Sequence, residues 1–192
     1  MKAKILCVLA AALPLSASAV TFHFTGDLFE HNEIISIPFT LDDEVSDVKL
    51  WTDSFLDGVH FDPIAALWAD DGNGNGSLID WNDDNPGIQP GQSFGDAGLL
   101  LPSLAAGDYF LTVTATGNIP LGSLFSDGFL FGTDTPTTLA AGSTAWSLWL
   151  TAAPPPASGG AGGGADVSEP SLLGLLGLGM FAACALRRRA PR

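Results

Sequence analysis

The stretch IAALWADDGNGNGSLIDWN, Ile64 to Asn82, decides the fold. On either side of Asp71-Gly72-Asn73-Gly74-Asn75-Gly76, large apolar residues recur with a period near two, as side chains do on a strand whose alternate residues face the core. Glycine and asparagine tolerate positive φ, so the middle is a turn and the whole is a β-hairpin. If Asp70 opposes Ser77, then Trp68 faces Ile79 and Ala66 faces Trp81, which places large and branched side chains together on one face.

The same period extends outward. Phe22 and Phe24 alternate with Thr21, His23 and Thr25; Ile35, Ile37, Phe39 and Leu41 share a face, as do Tyr109, Leu111, Val113 and Ala115. Further strands are expected at Val45 to Thr52, Phe61 to Ala69, Ser77 to Asn82, Ala97 to Leu104, Ser123 to Phe131 and Ser143 to Ala152. Gly, Asn, Asp and Pro separate them, and the segment from 20 to 153 lacks the 3.6-residue pattern of a long amphipathic helix. Eight or nine short strands predict an all-β sandwich, with a jelly roll as one arrangement.

The two ends read differently. Lys2 and Lys4 precede the apolar run Ile5 to Leu13, and Ala17-Ser18-Ala19 offers small residues for cleavage. Residues 1–19 therefore read as a secretory signal peptide that is removed. At the other end, residues 154–166 pass from three prolines into Gly and Ala, stiff first and flexible after, as a tether does. Leu172 to Leu186 carries no charge, and about 22 Å of helix at 1.5 Å per residue makes it a short anchor, the expected transmembrane helix 172–186. Arg187, Arg188 and Arg189 close it as a membrane stop, which by the positive-inside tendency stay in the cytoplasm.

Residues 167–192, with Ser168-Glu169-Pro170, the Gly/Leu-rich run and the terminal arginines in that order, resemble the PEP-CTERM sorting signal of bacterial exported proteins. Ser168 stands where that family usually has proline. The resemblance implies handling by an exosortase-type membrane peptidase after secretion, an inner-membrane-anchored intermediate, and a final location at the cell surface or outside the cell. A second resemblance rests on Trp51-Thr52-Asp53-Ser54-Phe55, Phe61-Asp62-Pro63-Ile64, Leu67-Trp68, the Gly/Asn turn, Asn82-Asp83-Asp84 and Leu104 to Val113. This order is similar to the bacterial pre-peptidase C-terminal domain over roughly residues 32 to 131, which implies a β-sandwich accessory domain.

Charge and cysteine usage narrow the function. Between Val20 and Ala165 stand 19 Asp or Glu and one Lys, Lys49, a formal charge of −18. A polyanion would be repelled, so nucleic acid is an improbable partner, whereas cations and neutral polysaccharide are compatible. Both cysteines, Cys7 and Cys184, lie in the apolar ends, so an exported domain over 20–153 must stand on its core, without disulfides.

The candidate site is the hairpin. Asp71, Asn73 and Asn75, followed by Gly76, space their oxygens as a calcium loop does, and Asp80, Asp83 and Asp84 extend the set. Asn82 stands at the twelfth position in place of a bidentate Glu, and flanking helices are missing, which excludes an EF-hand. The competing reading is a solvated turn whose polar side chains serve its own backbone. Gly91-Gln92-Ser93-Phe94-Gly95 matches the G-x-S-x-G expression, but His23, His31 and His60 all precede Ser93, the reverse of the order that the nucleophile elbow requires. His60-x-Asp62 has too few ligands for a zinc centre. The expectation is a non-enzymatic structural or binding module; the alternative is a carbohydrate-binding module at the cell surface, calcium-dependent or not, that stacks sugars on an outward Trp, Trp146 or Trp149 being on opposite faces of the last strand.

Overall fold

The computed structural model describes residues 19–156. The expected signal peptide, the greater part of the expected 154–166 tether, the sorting residues Ser168, Glu169 and Pro170, the expected helix 172–186 and Arg187 to Arg189 lie outside the described residues. Eight strands form two four-stranded antiparallel sheets: β1 (Val20–Asp27), β2 (Ile35–Leu41), β3 (Val45–Thr52), β4 (Pro63–Asp70), β5 (Gly76–Asn82), β6 (Gly98–Leu104), β7 (Gly107–Ala115) and β8 (Ala145–Ala153). One sheet has the order β1-β8-β3-β6 and the other β2-β7-β4-β5. First pairs with last, second with seventh, third with sixth and fourth with fifth, so the chain is a long hairpin rolled into a sandwich. That is the jelly-roll arrangement, with the main core between its two sheets.

Alternation produces the core between the sheets. Val48 and Leu50 of β3, Ala65 and Leu67 of β4, Leu111 and Val113 of β7, and Leu148 and Leu150 of β8 are fully buried there. Burial of each large aliphatic side chain contributes about 1.5–3 kcal/mol, and this core carries the stability that disulfides supply in many exported domains.

A second, smaller core lies on the outer face of the β2-β7-β4-β5 sheet. Trp68 is fully buried, stacked on Phe110 at 5.9 Å between ring centres, met edge to face by Phe125 at 5.5 Å and at a tilt by Phe129 at 6.0 Å. Its Nε1 donates to Thr112 Oγ1 at 3.1 Å, which satisfies the one polar atom of the indole. The cover is the long connection between β7 and β8. The expected strand Ser123 to Phe131 is instead a turn of 3-10 helix, Phe125–Asp127, with single bridges Ser77 to Leu124 and Pro120 to Phe129. Asp127 Oδ2 accepts the Leu124 N–H at 2.9 Å, and Gly128 follows at φ 81°, so the local polar chemistry favours a turn over an extended run.

The decisive hairpin forms with one change of register. Ala66 opposes Trp81 as expected, but Trp68 opposes Leu78, and Ile79 is the extra residue of a β-bulge. The bulge lets Leu78 and Trp81 both pack on the outer cluster while Ile79 packs on the main core. An unbroken alternation would put Leu78 and Trp81 on opposite faces.

Connections divide by length between the two ends of the sandwich. At the end where β1 starts and β8 finishes, the connections are 42–44, 71–75 and 105–106; at the other end they are 28–34, 53–62, 83–97 and 116–144. The long connections, where function concentrates on a rigid scaffold, thus start and finish opposite the point at which the chain leaves the fold, and 116–144 runs back along the outer face as far as Asn75.

Candidate functional site

The candidate ligands of the sequence pattern fall into two groups at opposite ends of the β4–β5 hairpin, with Asp80 between them on β5. Asp71, Asn73 and Asn75 sit in its turn; Asp83 and Asp84 follow its last residue. About six residue steps of strand separate the two groups, roughly 20 Å at 3.3 Å per step. The six candidate calcium ligands therefore do not converge on one ion.

The turn spends its oxygens on itself. Asp71 Oδ1 accepts the N–H groups of Asn73 at 2.8 Å and Asn75 at 3.1 Å, and Asp70 Oδ1 accepts that of Gly72 at 2.8 Å. Asn73 Nδ2 donates to Asp71 O, and Asn75 Oδ1 accepts the Ser126 N–H at 2.9 Å. These are Asx turns plus one tie to the covering loop. Asp80, on the exposed side of β5, accepts the N–H of Trp81.

The other end is different. Asp62, at the entry to β4, meets Asp83 and Asp84, at the exit of β5, and the three present carboxylate oxygens within 4.8 Å of one another. Asp62 Oδ1 and Asp83 Oδ1 are buried atoms without a hydrogen-bond partner. Desolvation raises the Asp62 pKa to about 6, and the charges of Asp83, Asp84 and Asp96 push it the same way, against a hydrogen bond from the Thr116 side chain. Asp83 is also raised, first by burial and then by Asp84. Two such carboxylates disfavour ionisation together, and a proton or a hard cation relieves them. Asp62 is the member that the sequence pattern left out. The signal for it was the hairpin itself: extending the Ala66–Trp81 pairing outward brings residue 62 beside 83 to 85.

Asp96 anchors the neighbouring loops. Fully buried, its Oδ1 accepts Thr52 Oγ1 at 3.0 Å and the N–H groups of Ser54 and Phe55 at 3.0 and 3.1 Å. Its Oδ2 accepts the Ser93 N–H at 2.7 Å and the Ser93 hydroxyl at 3.1 Å. That hydroxyl also accepts the Asp57 N–H, so Ser93 of the G-x-S-x-G stretch is a loop tie whose partners are Asp57 and Asp96. Leu56 and Asp57 are held at φ 49° and 57°, a left-handed conformation that costs side-chain-bearing residues on the order of 1–3 kcal/mol and is kept where surrounding contacts enforce it. Beside them Leu56, Val59 and Phe94 are exposed, and Phe94 meets the buried Phe55 edge to face at 4.9 Å. His60 Nδ1, in the same loop, is buried and without a partner.

The indoles offer little open ring face. Trp51, Trp68 and Trp146 are buried, and Trp81 is half-buried against the outer cluster. Trp149 does face outward, opposite in face to Trp146, but His23 stacks on it at 3.5 Å and Trp51 lies parallel at 6.0 Å. These partners come from the strands on either side of β8, so His23 covers one face of the Trp149 ring, Trp51 flanks it from the other side, and its Nε1 donates to Asp53 Oδ2 at 3.0 Å. A shallow cleft of about 340 Å³, lined by Val20, Phe22, Leu41, Asp42, Asp43 and Pro154 among others, lies at the end with short connections.

The covalent route out of the fold leads from Pro154 to the tail. Residues 166–189 match the PEP-CTERM protein-sorting motif. The PEP-CTERM motif implies a chain that is exported, passes through a membrane-anchored intermediate and is processed by exosortase, a membrane peptidase. Among the described residues no helix is long and apolar enough to cross a membrane. No curated protein matches the chain.

Proposed function

We propose that this chain is a surface or extracellular-matrix protein whose jelly roll is a non-catalytic structural or binding module, delivered by its PEP-CTERM tail. The observation that carries the proposal is a sorting motif that follows, after a Pro/Gly-rich stretch, a β-sandwich whose loops 28–34, 53–62 and 83–97 lie at the end opposite its last residue. The loops at that end carry the exposed Leu56, Val59 and Phe94, an apolar surface suited to a partner. The resemblance of residues 32 to 131 to the pre-peptidase C-terminal domain supports an accessory role. Exported polysaccharide is a compatible partner, but with Trp149 held between His23 and Trp51, contact would fall to the loops rather than to a stacking platform.

The test replaces Glu169-Pro170 by Ala-Ala in the native host. The tail should then stay on, the protein should be retained with the membrane fraction, and the wild-type chain should be released with a shortened C-terminus. Identical C-termini for variant and wild type by mass spectrometry contradict the sorting role.

A cation-dependent module is a second reading, favoured by the partnerless oxygens of Asp62 and Asp83. Calcium is the hard cation of choice for an all-oxygen site outside the cell. Asp71, Asn73 and Asn75 would have no part in it.

A further inference from the structure

We infer that Asn73 is a site of spontaneous, age-dependent deamidation, and that the fold directs the reaction to Asn73 and away from Asn75. The turn contains two Asn-Gly pairs, Asn73-Gly74 and Asn75-Gly76. In such a pair the backbone nitrogen of the glycine attacks the asparagine side-chain carbonyl carbon, Cγ. A C–N bond forms and the Cγ–Nδ2 bond breaks. Nδ2 leaves as ammonia, taking the proton that the glycine N–H gives up. Water then opens the five-membered imide at either carbonyl, leaving aspartate or isoaspartate. No oxidant or reductant takes part. Glycine favours the reaction because no side chain hinders the attack and its backbone turns freely.

The two sites are the same in sequence and different in surroundings. Asn73 is exposed; Gly74 is at φ 81° with open space where a Cβ would stand. The carboxamide of Asn73 is restrained only by a bond to Asp71 O, two residues away in the same exposed turn. Asn75 is held by a distant segment, its Oδ1 accepting the Ser126 N–H. Gly76 is buried, with the Phe110 ring and Ala69 O filling the place where a Cβ would stand, and it opposes Asp70 in the strand ladder. Closing the imide at Asn75 requires the carboxamide to leave Ser126 and the start of β5 to move beneath Phe110. At Asn73 it requires rotation between two open glycines. The product adds a carboxylate beside Asp70 and Asp71, and the isoaspartate form inserts a methylene into the backbone of the turn.

The experiment ages the full chain at mildly alkaline pH, folded and in denaturant, and locates the amide-to-acid mass change by fragment-ion peptide mapping. In the folded chain Asn73 should convert at least about tenfold faster than Asn75, a barrier difference of about 1.4 kcal/mol. In denaturant the two rates should converge, because the flanking residues are then equivalent. Asn73→Gln should abolish conversion at that position and leave the Asn75 rate unchanged. Equal rates in the folded chain, a faster Asn75, or conversion at Asn73 no faster than at the buried Asn118 would overturn the inference.

Discussion

Val20 stands directly opposite Ala152 in the β1–β8 ladder. The first strand of the fold is therefore completed by the last, and the folded body begins immediately after the Ala17-Ser18-Ala19 stretch and ends immediately before the Pro-rich tether. Val20 and Ala153, the outer residues of the first and last strands, therefore lie at one end of the sandwich.

Asp62 should make stability fall as pH rises. Its pKa is raised to about 6 in the fold and lies near 3.9 in an unfolded chain. Between those values the folded state binds more protons than the unfolded state, so the free energy of unfolding decreases with rising pH across that window. Thermal melting at pH 4.5 and 7 should show this slope, and Asp62→Asn should flatten it. Added calcium should offset the loss at pH 7 in the wild type and not in Asp62→Asn. A calcium-independent melting temperature at pH 7 would reject the cation reading and leave the proton as the partner of this cluster.

Asp96→Ala should loosen the 53–57 and 93–97 loops together. Removing one carboxylate strands the N–H groups of Ser54, Phe55 and Ser93, and a buried donor left alone costs about 1–3 kcal/mol. Hydrogen exchange should rise at these three amides, and the chain should lose about 3 kcal/mol in denaturant unfolding, an estimate that allows for partial rehydration. Unchanged exchange at Ser54 and Phe55 would show that the loop is held by something else.

Trp68→Ala should cost about 3–5 kcal/mol, the range for emptying a large aromatic site in a packed core. Trp149→Ala, on the open face of the other sheet, should cost clearly less. Equal losses in chemical denaturation would mean that the layer of Phe110, Phe125 and Phe129 is not a true second core.

How far these features could be read beforehand depends on the physics behind each. Ile35 to Leu41 is legible to the residue because strict alternation of branched and polar groups leaves one register that buries the apolar set. The bulge at Ile79 is not, since Leu78 and Ile79 are both apolar and either could face the core. Periodicity assigns Trp68 to a face but does not reveal that the β7–β8 connection folds over that face. The same blindness turns Ser123 to Phe131 into an expected strand, because apolar residues that cover a surface alternate much as those inside one do. Asp71, Asn73 and Asn75 carry a calcium-like spacing that their own backbone also demands. The closeness of Asp62 to Asp83 follows from hairpin pairing across twenty residues, where local motif spacing is silent.

The most direct measurement is the intact mass of the protein recovered from outside its native cells, read together with its membrane-bound precursor. The account predicts a mature chain that starts at Val20, has lost the apolar run and arginines of the tail, and gives the circular dichroism of an all-β fold. A secreted chain that keeps residues 172–189, or a full-length chain found only in the cytosol, would contradict it.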